Sequence, residues 1–222
     1  MLDLNHHLHR RIALMAKRKI DLVLDVGANV GQFGVSLRQT GYGGRIVSFE
    51  PMKAAFAMLQ RTASKDALWS CYNVALGDND GTAIINVSAN SHSSSLLAVN
   101  PRSLQIEPSV GYIGQEQITV RRLDGLFEQI AKPENVTYLK IDTQGYELKV
   151  LAGAAGVINR LEMIQLEASF FPVYKDETLA ADVIKIVDGL GYRVVGIEPA
   201  WMDAKSFEML QADFLFARKF AS

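Results

Sequence analysis

The stretch Leu24-Asp25-Val26-Gly27-Ala28-Asn29-Val30-Gly31-Gln32-Phe33-Gly34 runs from an apolar strand through a glycine-punctuated turn into a helix. Glycine lets the chain turn with positive φ and lets another group approach where a Cβ would collide. The spacing of the glycines separates the ligands that such turns serve. A dinucleotide pyrophosphate calls for G-x-G-x-x-G and a triphosphate for G-x-x-x-x-G-K-[ST]. Here the first interval is G-x-x-x-G, and no lysine follows Gly31. Asp25 stands just before the turn, where a phosphate would be repelled and a cationic ligand attracted.

Outward from this turn, strand and helix periodicities alternate, the pattern of an α/β layer fold with a mostly parallel sheet. Strands are expected over Asp21 to Val26, Arg45 to Phe49, Trp69 to Leu76, Thr82 to Val87, Gln117 to Arg121, Val136 to Asp142, Met163 to Ala168, Tyr192 to Ile197 and Asp213 to Ala217. Helices are expected over Gln32 to Gln39, Lys53 to Thr62, Asp124 to Ile130, Glu147 to Ala154 and Leu179 to Leu190, with Leu2 to Lys17 a helix over the sheet. The last two strands lie too close in sequence for another helical crossover, so an antiparallel pairing fits them. The expected architecture is a doubly wound, mostly parallel, seven-stranded sheet with one antiparallel C-terminal strand, in one domain over residues 1–222. The segment 88–115 holds five serines between positions 88 and 95, then Pro101, Pro108, Gly111 and Gly114. It reads as a lid or acceptor loop containing a short helix.

Composition narrows the function. The 222 residues carry 23 Lys+Arg and 24 Asp+Glu, a formal net charge of −1, which disfavours a nucleic-acid coat or a polybasic membrane surface. A chain of this length buries roughly 70% of its unfolded surface and needs no staples. Its one cysteine, Cys71, forms no intrachain disulfide or multi-cysteine metal site and suits a reducing compartment. Neither an export signal nor an apolar run of roughly 20 residues is present. The expected location is cytoplasmic, and a homo-oligomer is compatible with the sequence.

The chemistry that gathers at the strand ends points to S-adenosylmethionine, whose ammonium and sulfonium suit an acidic turn. Asp25, Gly27, Asn29 and Gly31 would surround it. Glu50, 23 residues after Gly27 and followed by Pro51, is near the spacing at which an acid accepts hydrogen bonds from a ribose diol. Asn73 lies where the adenine edge would be, and Asp142 faces the centre of the crevice, a place equally suited to a helix N-cap. A hydroxyl acceptor must lose a proton, and His92 in the supposed lid, with Asp142 and Glu167 at adjacent strand ends, are the candidate bases. Phe170, Phe171, Tyr174 and Trp201 would wall an acceptor or pack in the core. No dedicated ligand cluster is seen, so no metal is predicted. A nicotinamide-dependent oxidoreductase and a noncatalytic adenosyl-binding module are the alternatives.

Four stretches resemble the FkbM-like methyltransferases, a branch of the class I S-adenosylmethionine-dependent enzymes: Leu24 to Gly31 (LDVGANVG), Phe49-Glu50-Pro51, Asn73 to Asp78 (NVALGD), and Leu139 to Ala154 (LKIDTQGYELKVLAGA). The serine-containing loop Asn90 to Leu96 and Arg122-Leu123-Asp124 are similar to that family as well. The resemblance implies the class I fold, the cofactor and methyl transfer to oxygen, and it does not fix the acceptor. A small-molecule, glycan or lipid hydroxyl, on a sugar, glycolipid or secondary metabolite, is the expected one, and the charge balance speaks against a nucleic acid. Many relatives carry an acid where Gln144 stands, and the region after Ala168 resembles the family only loosely.

Overall fold

A computed structural model of the chain describes residues 6–90 and 92–219. Leu2 to Asn5 of the expected first helix and Ser91 of the serine-rich loop lie outside the described residues. In chain order the elements are α1 His7–Lys17, β1 Leu22–Val26, α2 Gln32–Gln39, β2 Arg45–Phe49, α3 Lys53–Ala63, β3 Trp69–Tyr72, β4 Ala75–Leu76, β5 Gly81–Ser88, α4 Pro101–Ile106, β6 Tyr112–Arg121, α5 Leu123–Ile130, β7 Thr137–Ile141, α6 Glu147–Gly153, β8 Leu161–Ser169, α7 Ala180–Gly189, β9 Tyr192–Met202 and β10 Met209–Arg218.

Among the described residues the main sheet has seven strands in the order β3-β2-β1-β7-β8-β10-β9, and only β10 runs antiparallel to its neighbours. The strand order reverses beside β1, the place at which open α/β sheets bind ligands beyond their carboxyl ends. Alternation along each strand sends side chains to opposite faces. On one face Leu22, Leu24, Val26, Leu139, Ile141, Leu166, Phe214 and Phe216 pack with Leu126, Phe127, Val150, Val183 and Val187 of α5, α6 and α7. On the other, Val23, Ile46, Tyr138 and Met163 pack with Met15, Leu37 and Leu59 of α1, α2 and α3.

This second face changes character toward the strand ends. Ser48, Asp25, Lys140 and Gln165 stand side by side in register across β2, β1, β7 and β8. All four are buried, so each needs a polar partner. Lys140 Nζ lies 3.2 Å from Asp25 Oδ1, Ser48 donates to Asp25 at 3.2 Å, and Trp69 Nε1 donates to Ser48 at 3.0 Å.

Three expectations are corrected. Trp69 to Leu76 is not one strand: Asn73 turns its amide back to the carbonyls of Glu50 and Pro51, 2.9 Å each, and the chain leaves the main sheet. It then enters a second sheet, β4-β6-β5, which no periodicity announced. The strand expected from Gln117 begins at Tyr112, because β6 pairs antiparallel with β5 over its whole length. The last hairpin is also longer than expected, with a turn only from Asp203 to Glu208. Its Pro199 is tolerated because β9 is an edge strand.

Close packing makes glycine necessary in two helices: at Gly153 of α6 a Cβ would lie 1.9 Å from the carbonyl oxygen of Gly77, and Gly34 of α2 is the second case. A Cβ at Gly34 in α2 would lie 2.3 Å from the Trp69 ring, whereas one at Gly125 in α5 would meet nothing within 4 Å. Gly34→Ala should therefore cost about 1–3 kcal/mol, and Gly125→Ala should add roughly 0.5–1 kcal/mol. Urea denaturation of the two variants checks the opposite signs.

Candidate functional site

At the carboxyl ends of β1, β2 and β7 opens a crevice of about 480 Å³. Apolar lining residues that pack together, Met52, Ala75, Ile85 and Ile118 with Leu96 against them, form one end. The other is polar, with Asp142, Gln144, Gln165, Glu167, Gln211 and Asp213 beside Trp201 and Tyr174. The serine-rich loop and the segment beyond α4 reach over it through Asn90, His92, Ser93, Ser94, Glu107 and Val110.

Four amides of the glycine turn are already engaged. Gly27 and Ala28 both donate to the carbonyl of Phe49, Gly31 donates to that of Ala28, and Asn29 donates to Glu50 Oε2 at 2.9 Å. Gly27 has φ +75°, and a Cβ there would strike the carbonyl oxygen of Asp142 at 1.8 Å, so β1 and β7 can converge only on glycine. Gly31, at φ +97°, begins α2 and faces Leu59 and Trp69. It is absent from the crevice wall, and its role is packing.

Glu50 is 3% exposed and lines the crevice, its two oxygens held by the amides of Asn29 and Met52. Burial pushes its carboxyl up to about 7. A buried carboxylate with spare lone pairs and a raised pKa gains from further donors, and a ribose diol supplies two. Pro51 lines the wall beside it, and Asn73 braces this Glu50-Pro51 corner instead of reaching toward an adenine edge.

Asp25 is corrected too. It is fully buried beneath the crevice, its carboxylate turned to Lys140 and Ser48, so it does not meet a cationic ligand directly. Lys140 also lies 3.4 Å from Asp142. Burial alone would lower its pKa, but Asp142 and Asp25 outweigh that and hold the ammonium charged. Arg11 of α1, equally buried, pairs with Glu198 of β9 and lies 5.0 Å over the Phe33 ring. Neither Arg11 nor Lys140 was expected at the site. A lysine inside the apolar run VTYLKID was the available signal, since only a buried partner makes it tolerable.

Both cations at the polar end are thus already paired, while three carboxylates line it. Asp213 stands directly across from Glu167 in the β8–β10 pairing. Glu167 titrates well above the usual carboxylate range because of burial, with Asp142 and Asp213 adding to the effect. Asp142 and Glu167, expected at adjacent strand ends, are bridged by Gln144, whose Nε2 donates to both at 2.8 and 2.9 Å. His92 lies at the crevice mouth, with Asn29 Nδ2 3.2 Å and Gln32 Nε2 3.4 Å from its Nδ1. Both partners are donors, so Nδ1 accepts and a neutral ring carries its proton on Nε2. In this arrangement His92 offers an N–H and ties the loop to the glycine turn. Tyr174 and Trp201 belong to the crevice wall, whereas Phe170 packs on Phe214 and Phe171 under the guanidinium of Arg102.

Sheet order, ligand crevice and acidic second strand end define the class I methyltransferase architecture. Residues 25–194 match the Methyltransferase FkbM domain, and the chain belongs to that family of S-adenosylmethionine-dependent methyltransferases. It is 24% identical over 142 residues to Methyltransferase 1 of Beauveria bassiana (strain ARSEF 2860), a match covering 59% of this chain and 57% of that protein. The chain thus spans a little over half the length of this curated relative. Its fold is similar to the crystal structure of Methyltransferase FkbM from Methylobacillus flagellatus KT, with a TM-score of 0.54 at 16% identity, covering 89% of this chain and 43% of that one. It is also similar to Streptococcus pneumoniae Sp1610, a putative tRNA methyltransferase in complex with S-adenosyl-L-methionine, with a TM-score of 0.50 at 10% identity over 96% of this chain and 74% of that one. These findings do not favour a nicotinamide-dependent oxidoreductase. Among the described residues, no helix is long and apolar enough to cross a membrane.

The raised carboxyls have a consequence for stability. Glu50 and Glu147 are both pushed up to about 7, from an ordinary glutamate's 4.5, because burial disfavours their charged forms. Between those values the native state binds more protons than the unfolded state, so stability falls as pH rises through about 7. The urea midpoint of the ligand-free protein should therefore be lower at pH 8 than at pH 5.5. An equal or higher midpoint at pH 8 contradicts the assignment.

Proposed function

We propose that this chain transfers the methyl group of S-adenosylmethionine to a hydroxyl of an uncharged or cationic small-molecule acceptor, such as a sugar, glycolipid or secondary metabolite. The observation that carries the reading is the division of the crevice. An apolar end bounded by the buried carboxylate of Glu50 suits an adenosyl group, and a polar end rich in carboxylates and carboxamides suits a polyhydroxylated one. When bound, the cofactor supplies an electrophilic methyl group on a sulfonium.

Glu50 would hold the ribose, with Phe49, Met52, Ile85 and Leu96 around the base. Gly27, Asn29 and Asp142 would border the methionyl portion, and Asp25 acts only through Lys140. Glu167 takes the proton from the acceptor hydroxyl: its raised pKa makes it a stronger base than an ordinary carboxylate, and it lines the polar end. Asp142 orients the acceptor beside it. His92 secures the loop over the crevice. Trp201 offers the acceptor an apolar face.

Charge supports a small acceptor over a nucleic acid. Arg11 and Lys140, the cations lining this end among the described residues, are neutralised by Glu198, Asp25 and Asp142 rather than left to meet a phosphate. The single cysteine agrees with a reducing, cytoplasmic setting.

S-adenosylmethionine or its demethylated product, at about 100 times Kd, should raise Tm by roughly 5–10 °C. Glu50→Ala should weaken that binding at least about tenfold, as expected for losing hydrogen bonds to a charged group. No shift with either compound sinks the reading. In a methyl-transfer screen, neutral and amino-bearing polyols should be modified while their carboxylated or sulfated analogues are not. Preference for the anionic set overturns the acceptor assignment.

A further inference from the structure

Gln144 has features that helix capping does not explain. It adopts a left-handed backbone with φ 57°, followed by Gly145 at φ 96°. A residue with a Cβ pays about 1 kcal/mol or more for that conformation, and such outliers persist where the surroundings over-determine them. Here the surroundings do. The backbone carbonyl of Gln144 accepts from Ser95 Oγ at 2.6 Å, and its side-chain Oε1 accepts from the buried hydroxyl of Tyr174 at 2.6 Å. An amide has one accepting end and one donating end. With Oε1 turned to Tyr174, Nε2 must face Asp142 Oδ1 and Glu167 Oε2.

A second amide reaches the same oxygen. Gln211 Nε2 donates to Glu167 Oε2 at 3.1 Å. We infer that Gln144, oriented by Tyr174, is the positioning residue for the base: together with Gln211 it holds Oε2 of Glu167, presents Oε1 to the acceptor, and keeps Asp142 and Glu167 together despite their like charge. This rests on the reading of Glu167 as the base.

The groups around Glu167 define what Gln144 must balance. Lys140 and Asp142 face it from β7 and the turn beyond, Glu147 from α6, Asp213 and Gln211 from β10, and Tyr174 from the loop after β8. Among these groups Lys140 brings the positive charge, and it is shared with Asp25. Hydrogen bonds to a carboxylate favour its ionised form. Gln144 therefore keeps the proton affinity of Glu167 within a working range, whereas a glutamate here would add a carboxylate in contact with two others.

The test is an infrared pH titration of the full-length, ligand-free protein, following the part of the protonated-carboxyl C=O band that Glu167→Gln removes. Gln144→Met, which is similar in size but lacks both donors, should raise that midpoint by about one pH unit. Tyr174→Phe should raise it by less, and Gln144→Glu, compared with its own Glu167→Gln double variant, by more. If Gln144→Met does not fold, the Tyr174→Phe and Gln144→Glu shifts carry the test. Unmoved midpoints overturn this inference while leaving the base intact. A band that Glu167→Gln does not alter overturns the base reading as well.

Discussion

The ion pair of Lys140 with Asp25 is the constraint around which the site is arranged. Two opposite charges lie side by side on neighbouring strands inside the sheet, where either alone would be very costly. Their pairing obliges the surrounding row to be polar: Ser48 completes the carboxylate of Asp25, Trp69 completes Ser48, and Asp142 takes the outer side of the lysine. The crevice floor thus has its charge fixed before any ligand arrives. Fixed charges and dipoles that need no rearrangement are what a group-transfer site requires.

The sheet was legible because its signals are local. LDVGANVG, RIVSF and VTYLKID each carry a run of apolar residues that ends at or shortly before a glycine or proline, Gly27, Pro51 and Gly145. The second sheet was not legible. It depends on the side chain of Asn73 pulling the chain out of register after Tyr72, an event between residues distant in sequence. At the site, Glu50 could be found from its distance to the glycine turn, since that spacing is set by one βαβ unit. Asp25 could be found but not correctly assigned, because its partner is 115 residues away. For Arg11, Gln211 and Asp213 nothing local distinguished them from surface residues, and only the folded sheet brings them to the crevice.

The crevice wall also draws on different stretches of the chain. The family match covers residues 25–194 and so includes the glycine turn, Glu50, Asp142 and Glu167. Trp201, Gln211 and Asp213 follow it, and Arg11 precedes it. The shared part of the fold supplies most of the crevice wall, and the terminal parts add to its polar end.

The first helix is the clearest case. Arg11 reaches from α1 to Glu198 on the far edge strand, a span of 187 residues, and both groups are buried. A fragment trimmed to start at β1 would retain the whole homologous region yet strand Glu198 as an orphan anion beneath an unroofed cleft. Inspection of the matched portion alone would judge it intact. The amino-terminal helix is therefore a keystone of this fold, and the boundary of kinship is narrower than the boundary of the packed structure.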